Sequence, residues 1–147
     1  MWGRAPACYL DPIIKVQKRA IRVVAGANFL ANTAPLFKEL NILNFRNIYV
    51  YSVLMIMYKH HHAKIPNIFN PFFVRNSEIH SYDTRQQTYL HVNKQKSLTS
   101  SQSFRNSGVK IYNYFRSNAN FDVSVSTFKT QVKKYLIDND ISFLLTR

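Results

Sequence analysis

The residues in this chain with the clearest capacity for chemistry are three consecutive histidines, His60, His61 and His62. Imidazole nitrogens bind zinc and other transition metals, so a histidine cluster is a candidate metal site. On a helix, however, consecutive side chains point about 100° apart, and three in a row do not close on one ion. The end of a helix explains them better, because imidazoles interact favourably with the last carbonyl groups. The sequence therefore predicts no metal site here.

Acidic residues are too few and too scattered for metal-dependent catalysis. The chain has seven Asp and Glu, and the one close pair is Asp138 and Asp140. Nucleases and polymerases that use two metal ions need several clustered carboxylates. A glycine-rich phosphate loop, a Gly-x-Ser-x-Gly motif and a cysteine and histidine pair with an orienting partner do not occur in the sequence either. We predict a protein with no catalytic residues and no cofactor, which is not an enzyme in its own right.

Basic residues dominate the charge of the chain. Twenty Lys and Arg against seven Asp and Glu give a formal net charge of +13. Such an excess is typical of nucleic-acid-binding proteins, and an anionic membrane surface is the rival partner. Solvation alone is the other interpretation, since lysine and arginine cover most exposed helices. The candidate nucleic-acid contacts are Lys15, Lys18, Arg19, Arg22, Arg85, Lys129, Lys133 and Lys134.

A first amphipathic helix positions four of these residues. Its predicted bounds are the cap and proline of Asp11-Pro12 and the break at Gly26. At about 100° per residue, Lys15, Lys18, Arg19 and Arg22 share one arc. The opposite side is apolar, and we expect it to pack on the core. It consists of Ile13, Val16, Ala20, Ile21, Val23 and Val24.

A last amphipathic helix is predicted to begin near the serine cap Ser124. Its apolar residues recur at helical spacing, and Lys129, Lys133 and Lys134 lie outside their arc. The apolar residues are Val125, Phe128, Val132, Tyr135 and Leu136. The two basic helices form either two sides of one charged groove or two separate solvated surfaces.

The longest apolar stretch runs from Phe45 to His62 and predicts the central helix of the fold. From Ile48 to Tyr58 almost every direction around a helix presents an apolar group, and such a helix must be buried. This run is shorter than the roughly 18 to 20 residues that a bilayer needs, so we expect no membrane span. A two-turn helix with its cap at Asn32 is expected just before it.

The second half of the sequence has weaker signals. Residues 67–70 predict a single helical turn, Phe72-Phe73-Val74 a core anchor, 76–87 a loop and 89–92 a short strand. Residues 94–103 are polar and rich in serine, which predicts a flexible loop. Residues 104–115 fit either a helix or a strand.

Together these patterns predict a mainly α fold, a compact helical domain of about four to six helices around one buried central helix. A short β segment and a flexible loop belong to its second half. We expect a single domain over 1–147, with a helical half at 11–64, a loop-rich middle at 65–103 and a C-terminal packing and helix segment at 104–140. The single cysteine, Cys8, and a start without a signal peptide favour an intracellular protein of the nucleus or cytoplasm.

Seven segments, in the same order, resemble the region that follows the polymerase domain in non-LTR (LINE-like, jockey-type) retrotransposon reverse transcriptases. They are Trp2-Gly3, Gln17 to Gly26, Thr33 to Leu43, Met57-Tyr58-Lys59, Ile65 to Phe69, the Tyr82-Asp83-Thr84-Arg85-Gln86 box, and Phe128-Lys129 with Lys133 to Leu136. The resemblance covers nearly the whole chain. Where family members have Gly-Pro and Trp-Asn, this chain has Gly108-Val109 and Tyr112-Asn113, which suggests a drifted copy.

The resemblance implies a C-terminal piece of a polyprotein whose endonuclease and polymerase domains lie upstream. The family's Tyr-x-Asp-Asp polymerase signature does not occur here, and with Cys8 alone the chain cannot form the zinc knuckle of some related elements. The leading hypothesis is a noncatalytic module that packs on the parent polymerase domain and helps to bind RNA or an RNA–DNA hybrid. The alternatives are a decayed structural remnant and a basic module for a membrane surface or a protein partner. A membrane-surface module needs large apolar groups exposed beside its charges. Because the apolar face of the first helix is expected to pack on the core, we expect no membrane partner.

Overall fold

The computed structural model describes residues 5–82, 84–94, 96–97, 103–139 and 141. These residues form six α-helices and one 3-10 helix, with no named strand among them, so the predicted mainly α fold is confirmed. The predicted β segment is reduced to one antiparallel bridge between Arg75 and Leu90. The helices are α1 (Ala7–Val24), α2 (Thr33–Glu39), α3 (Phe45–His61), the 3-10 helix (Asn67–Phe72), α4 (Asn76–Ile79), α5 (Phe104–Arg116) and α6 (Val125–Asp138).

The chain divides into two compact units. The first unit is Met1–Tyr51 with Lys129–Arg147, and the second unit is Ser52–Phe128. Helices α3 and α6 each belong partly to one unit and partly to the other. The single domain over 1–147 stays a prediction.

Helix α3 is buried along most of its length, as the apolar stretch predicts. Of its 17 residues, only Ile48 and Lys59 are exposed. Burial of one large apolar side chain stabilises a fold by about 1.5 to 3 kcal/mol. The largest contributions come from Tyr49, Val50, Val53, Leu54 and Met57, each at most 2% exposed.

Helices α1, α2 and α3 end in the same motif. Gly26, Asn41 and Ala63 have φ angles of 61°, 54° and 53°. In each case the next N–H donates to the carbonyl five residues back, which is the Schellman arrangement. The three bonds are Ala27 to Arg22 at 2.9 Å, Ile42 to Phe37 at 3.0 Å and Lys64 to Lys59 at 2.7 Å. The predicted helix end at Gly26 is thus confirmed.

Helix α1 begins one turn earlier than the sequence predicts. Its first residue is Ala7, its cap is Pro6, and Pro12 lies inside the helix. The Pro6 carbonyl accepts the Leu10 N–H at 3.4 Å. Leu10 is buried, and its burial favours the extra turn. Because Pro12 removes only one hydrogen bond near the helix start, the helix tolerates it. The prediction of Asp11 as the cap was therefore wrong.

The predicted apolar face of α1 does not pack on the core. Of its six members, Ile21 is buried, whereas Val16 and Val23 are 63% and 79% exposed. Gln17 explains the difference. Its side chain donates to the Leu43 carbonyl at 3.0 Å and accepts the Phe45 N–H at 2.8 Å, so the arc around Gln17 faces inward. The exposed residues form what we call the α1 apolar stripe: Tyr9, Ile13, Val16, Ala20, Val23 and Val24.

In the first unit, one side-chain hydrogen bond caps α2, and two others join helices through backbone carbonyls. Asn32 caps α2 as predicted, because its Oδ1 accepts the Ala34 N–H at 3.1 Å. Asn47 is buried in α3, and its amide nitrogen donates to the Leu136 carbonyl of α6. The Lys38 ammonium donates to the Asp138 carbonyl at 3.3 Å. These bonds position the C-terminal part of α6, which carries two of the predicted lysines.

In the second unit, residues 104–115 are helical, which resolves the choice between helix and strand. Val109, Ile111, Tyr112 and Phe115 of α5 are buried. Gly108 of α5 lies next to α3, and a Cβ there would lie 3.5 Å from the Met57 sulfur, which is an ordinary van der Waals contact.

Helix α6 begins as predicted after Ser124, whose Oγ accepts the Thr127 N–H at 3.2 Å. Phe128, Val132 and Leu136 of its predicted apolar face are buried. Val125 is 47% exposed, so it does not contribute to the core as predicted. It is the first residue of the helix, where a side chain has fewer neighbours.

The loop-rich middle contains more helix than predicted. The expected turn is the 3-10 helix, and Phe73 is a buried anchor. Helix α4 forms inside the predicted loop because Glu78 accepts the Arg75 N–H at 3.4 Å and so caps its start. The predicted flexible loop 94–103 lies outside the described residues, apart from 94, 96, 97 and 103.

No helix in the described part of the chain is both long and apolar enough to cross a membrane.

Candidate nucleic-acid interface

The basic arc of α1 presents three unengaged cations. Lys15, Lys18 and Arg19 are exposed, and no hydrogen bond or ion pair among the described residues uses their charged groups. Arg22 differs, since it is half-buried and its Nε donates to the Ala31 carbonyl at 2.9 Å. That bond holds the loop after α1. The arc therefore offers three cations to a ligand and uses the fourth for structure.

The three predicted lysines of α6 line one cleft of about 460 Å³, which we call the lysine cleft. Lys129 and Lys133 lie one turn apart, and Lys134 lies one turn after Thr130. Among the described residues, Asn41, Tyr51 and Thr130 also line the cleft, and none of its described lining residues is a carboxylate. Like charges near one another repel, so an anion in this cleft is favoured electrostatically.

Arg85 lies in the second unit, in an open cleft of about 600 Å³ that we call the aromatic cleft. His80 and Tyr82 stack with ring centroids 5.4 Å apart and planes at 28°. His91 lies edge-on to His80 at 6.1 Å. Sequence reasoning identified only Arg85 here. The concentration of histidine and tyrosine over residues 80–91 was the available signal, but it has no helical or strand period.

The three consecutive histidines go to three different partners. The His60 ring lies 4.8 Å from the Phe73 ring, and the His62 Nε2 lies 2.9 Å from the Phe121 carbonyl oxygen. Burial, and next the nearby charge of Arg75, lowers the pKa of His60. Among the described residues, no three His, Cys, Asp or Glu side chains are grouped as metal ligands.

His61 joins a network with a tyrosine and a carboxylate. Its Nδ1 lies 3.0 Å from the Tyr112 hydroxyl, and its Nε2 lies 2.9 Å from the Asp122 carboxylate. The hydrogen bond from His61 lowers the pKa of Asp122. Burial raises the pKa of Tyr112. These hydrogen bonds join α3, α5 and the segment after α5 within the second unit.

The eight predicted contact residues therefore occupy three places. Helix α1 carries four in one arc, the lysine cleft brings three together, and Arg85 lies in the aromatic cleft of the second unit. Comparison of the chain with protein-family models, curated proteins and solved structures found no match.

Proposed function

We propose that this chain is a noncatalytic C-terminal module of a non-LTR retrotransposon reverse transcriptase that binds RNA or an RNA–DNA hybrid. The observation that carries the proposal is the lysine cleft, where Lys129, Lys133 and Lys134 lie together and the described lining residues include no carboxylate. A phosphate backbone supplies regularly spaced negative charge, and its neutralisation releases counterions. The resemblance to the region after the polymerase domain supports the same partner.

The basic arc of α1 is the second proposed contact. Lys15, Lys18 and Arg19 are exposed along slightly more than one helical turn, so they can contact successive phosphates of one strand. Contacts of this kind position a protein on nucleic acid without reading its bases. The module accordingly binds RNA or hybrid with little dependence on sequence.

The α1 apolar stripe is the proposed contact with the polymerase domain of the parent polypeptide. Its members include Val16, Val23 and Val24, which are 63%, 79% and 67% exposed. Large contiguous apolar patches are uncommon on monomeric proteins and mark interaction surfaces. A protein partner on the stripe leaves the neighbouring basic arc free for nucleic acid.

The affinity for single-stranded RNA at 0.1 M salt tests the proposed function. The test variant replaces Lys129, Lys133 and Lys134 by Gln, and the control replaces the exposed Lys59, Lys64 and Lys110 by Gln. Both variants lose the same charge. Each phosphate contact to a single strand contributes about 0.7 to the slope of log K against log salt. Loss of three contacts lowers that slope by about 2, which at 0.1 M salt corresponds to roughly hundredfold weaker binding. The control should stay near the wild-type affinity, and RNAs of different sequence should bind alike.

Two results would contradict the proposal. If both variants lose affinity equally, binding depends on net charge and the lysine cleft has no special role. If the unchanged chain does not bind RNA or hybrid at all, the decayed structural remnant becomes the better account.

A second candidate function, a module that lies on an anionic membrane surface, gains support from the α1 apolar stripe. Large apolar groups such as Tyr9 and Val16 are exposed on the helix that carries Lys15 and Arg19. That combination is typical of interfacial helices. Co-sedimentation with phosphatidylserine vesicles and with phosphatidylcholine vesicles tests it. Binding to the anionic vesicles that Val16→Asp abolishes would favour the membrane, whereas no binding to either would exclude it.

A further inference from the structure

The aromatic cleft has a fixed frame made of side-chain amides. The Asn113 amide donates to the Leu90 carbonyl at 2.8 Å and accepts the Leu90 N–H at 3.0 Å. The Asn76 amide nitrogen donates to the Gln86 carbonyl at 2.9 Å, and its oxygen lies 3.1 Å from His91 Nδ1. These bonds occupy both amides and hold the lining in place.

The groups at the edge of the cleft, by contrast, make few side-chain contacts within the described residues. His80, Tyr82 and Arg85 are all exposed, Tyr82 at 64%. No hydrogen bond among the described residues uses the Tyr82 hydroxyl or the Arg85 guanidinium. The contacts of the Tyr82 ring within the described residues are with His80, on which it stacks. An exposed aromatic ring and an exposed guanidinium, neither with a side-chain hydrogen bond among the described residues, therefore lie at the edge of the cleft.

A cavity of about 600 Å³ falls within the range of small-molecule binding sites, which is roughly 300 to 1,000 Å³. Flat rings bind nucleobases by stacking, independently of base identity. A guanidinium binds phosphate through two parallel hydrogen bonds. The cleft thus combines the two groups that a nucleotide requires, within one segment of the chain.

We infer that the aromatic cleft binds one unstacked nucleotide of a single-stranded nucleic acid, with its base on the Tyr82 ring and its phosphate at Arg85. The inference rests on the proposed function and adds a preference for single strands. A base inside a duplex is already stacked and paired, so it cannot enter the cleft without the cost of leaving the duplex.

Stacking on Tyr82 and the positive charge of Arg85 contribute separately to binding, and two substitutions test the two contributions. Tyr82→Ala should weaken binding to a single-stranded RNA at least about fivefold, the lower end of the range for loss of one base–aromatic stack. It should leave the salt slope unchanged, because a phenol ring releases no counterion. Arg85→Gln should lower that slope by about 0.7. Tyr82→Phe keeps the ring and should bind as the unchanged chain does.

The matched control is Phe29→Ala, because Phe29 is 69% exposed and lies in the loop after α1, outside the proposed contact surfaces. It should bind RNA normally. Tyr82→Leu provides a second loss of the ring with the apolar bulk kept, should Tyr82→Ala disturb the fold in thermal melting. A single-stranded RNA with 4-thiouridine, irradiated in complex with the chain, should crosslink within residues 80–91.

The outcomes distinguish the cleft from the proposed function as a whole. RNA binding that is unaffected by Tyr82→Ala and Tyr82→Leu would overturn the cleft while leaving the lysine cleft as the nucleic-acid contact. Crosslinks confined to other segments would do the same. A chain that binds no single-stranded RNA would overturn both the inference and the proposed function.

Discussion

At the scale of single residues, His60 is a half-buried imidazole whose surroundings disfavour its charged form. Its pKa is lowered mainly by burial, and the charges of Arg75 and His61 add to the effect. Its Nδ1 is buried and has no hydrogen-bond partner among the described residues. The ring instead lies 4.8 Å from the Phe73 ring. These surroundings favour the neutral imidazole, which packs against the Phe73 ring.

The neutral state of His60 predicts an acid-dependent loss of stability. Its contribution is complete above the ordinary pKa of 6.5. Below that pH the unfolded state binds a proton that the folded state does not, so stability falls until the folded pKa is passed. We expect the free energy of unfolding, measured in urea between pH 7.5 and 5.5, to fall less steeply for His60→Phe. The exposed His80→Phe should behave as wild type, and identical profiles for all three would refute this account.

At the scale of elements, the backbone is strained at the residue that ends α3. Ala63 adopts a left-handed conformation with φ of 53°, which costs an L residue about 1 to 2 kcal/mol. The same position after α1 is Gly26. Ala63→Gly should raise the free energy of unfolding by about 1 kcal/mol, because relief of strain exceeds the entropic cost of glycine. Ala20→Gly, inside α1, should lower it by a similar amount in the same thermal or urea melt. A destabilised Ala63→Gly would show that this cap is unstrained.

Helix α3 supplies the sharpest test of the core. Leu54 is 0% exposed, and Leu54→Asp buries an unpaired charge. The expected cost is at least about 3 kcal/mol, enough to unfold a marginal domain. Ile48→Asp on the same helix is the control, since Ile48 is 36% exposed and its change should cost much less. Circular dichroism melts measure both. A Leu54→Asp chain that melts cooperatively near the wild-type temperature would contradict burial of α3.

Two element boundaries with local cap signals were predictable, whereas the start of α1 was not, because the helix extends past the local signal at Asp11-Pro12 to bury Leu10. Asn32 and Ser124 cap α2 and α6 as predicted, because a cap is a property of a few adjacent residues. The inward face of α1 was predicted wrongly. Periodicity selected its valines, but the two backbone hydrogen bonds of Gln17 fix a different arc, and apolar patterns contain no information about such bonds.

At the scale of the whole molecule, the mainly α class was predictable because it follows from composition and from the helical spacing of apolar residues along the chain. The candidate sites were predictable in part. Lys129, Lys133 and Lys134 share a helix, so spacing alone predicts that they are close. The aromatic cleft depends on Asn113 and Leu90, which are joined across 23 positions of sequence by amide hydrogen bonds. A single sequence without structure gives no sign of that pairing.

The central claim is that two basic surfaces of this molecule neutralise nucleic-acid phosphates. The most direct measurement is the slope of log Kobs against log salt for a single-stranded RNA. Two triple variants carry the test: Lys15, Lys18 and Arg19 to Gln on α1, and Lys129, Lys133 and Lys134 to Gln in the lysine cleft. Arg22 is kept because its Nε donates a hydrogen bond to the Ala31 carbonyl. Each variant should lower the magnitude of the slope by about 2, since each contact contributes about 0.7.

The control triple, Lys59, Lys64 and Lys110 to Gln, should retain the wild-type slope. Wild-type slopes in both test variants would contradict the account, because α1 and the lysine cleft would then contribute no phosphate contacts.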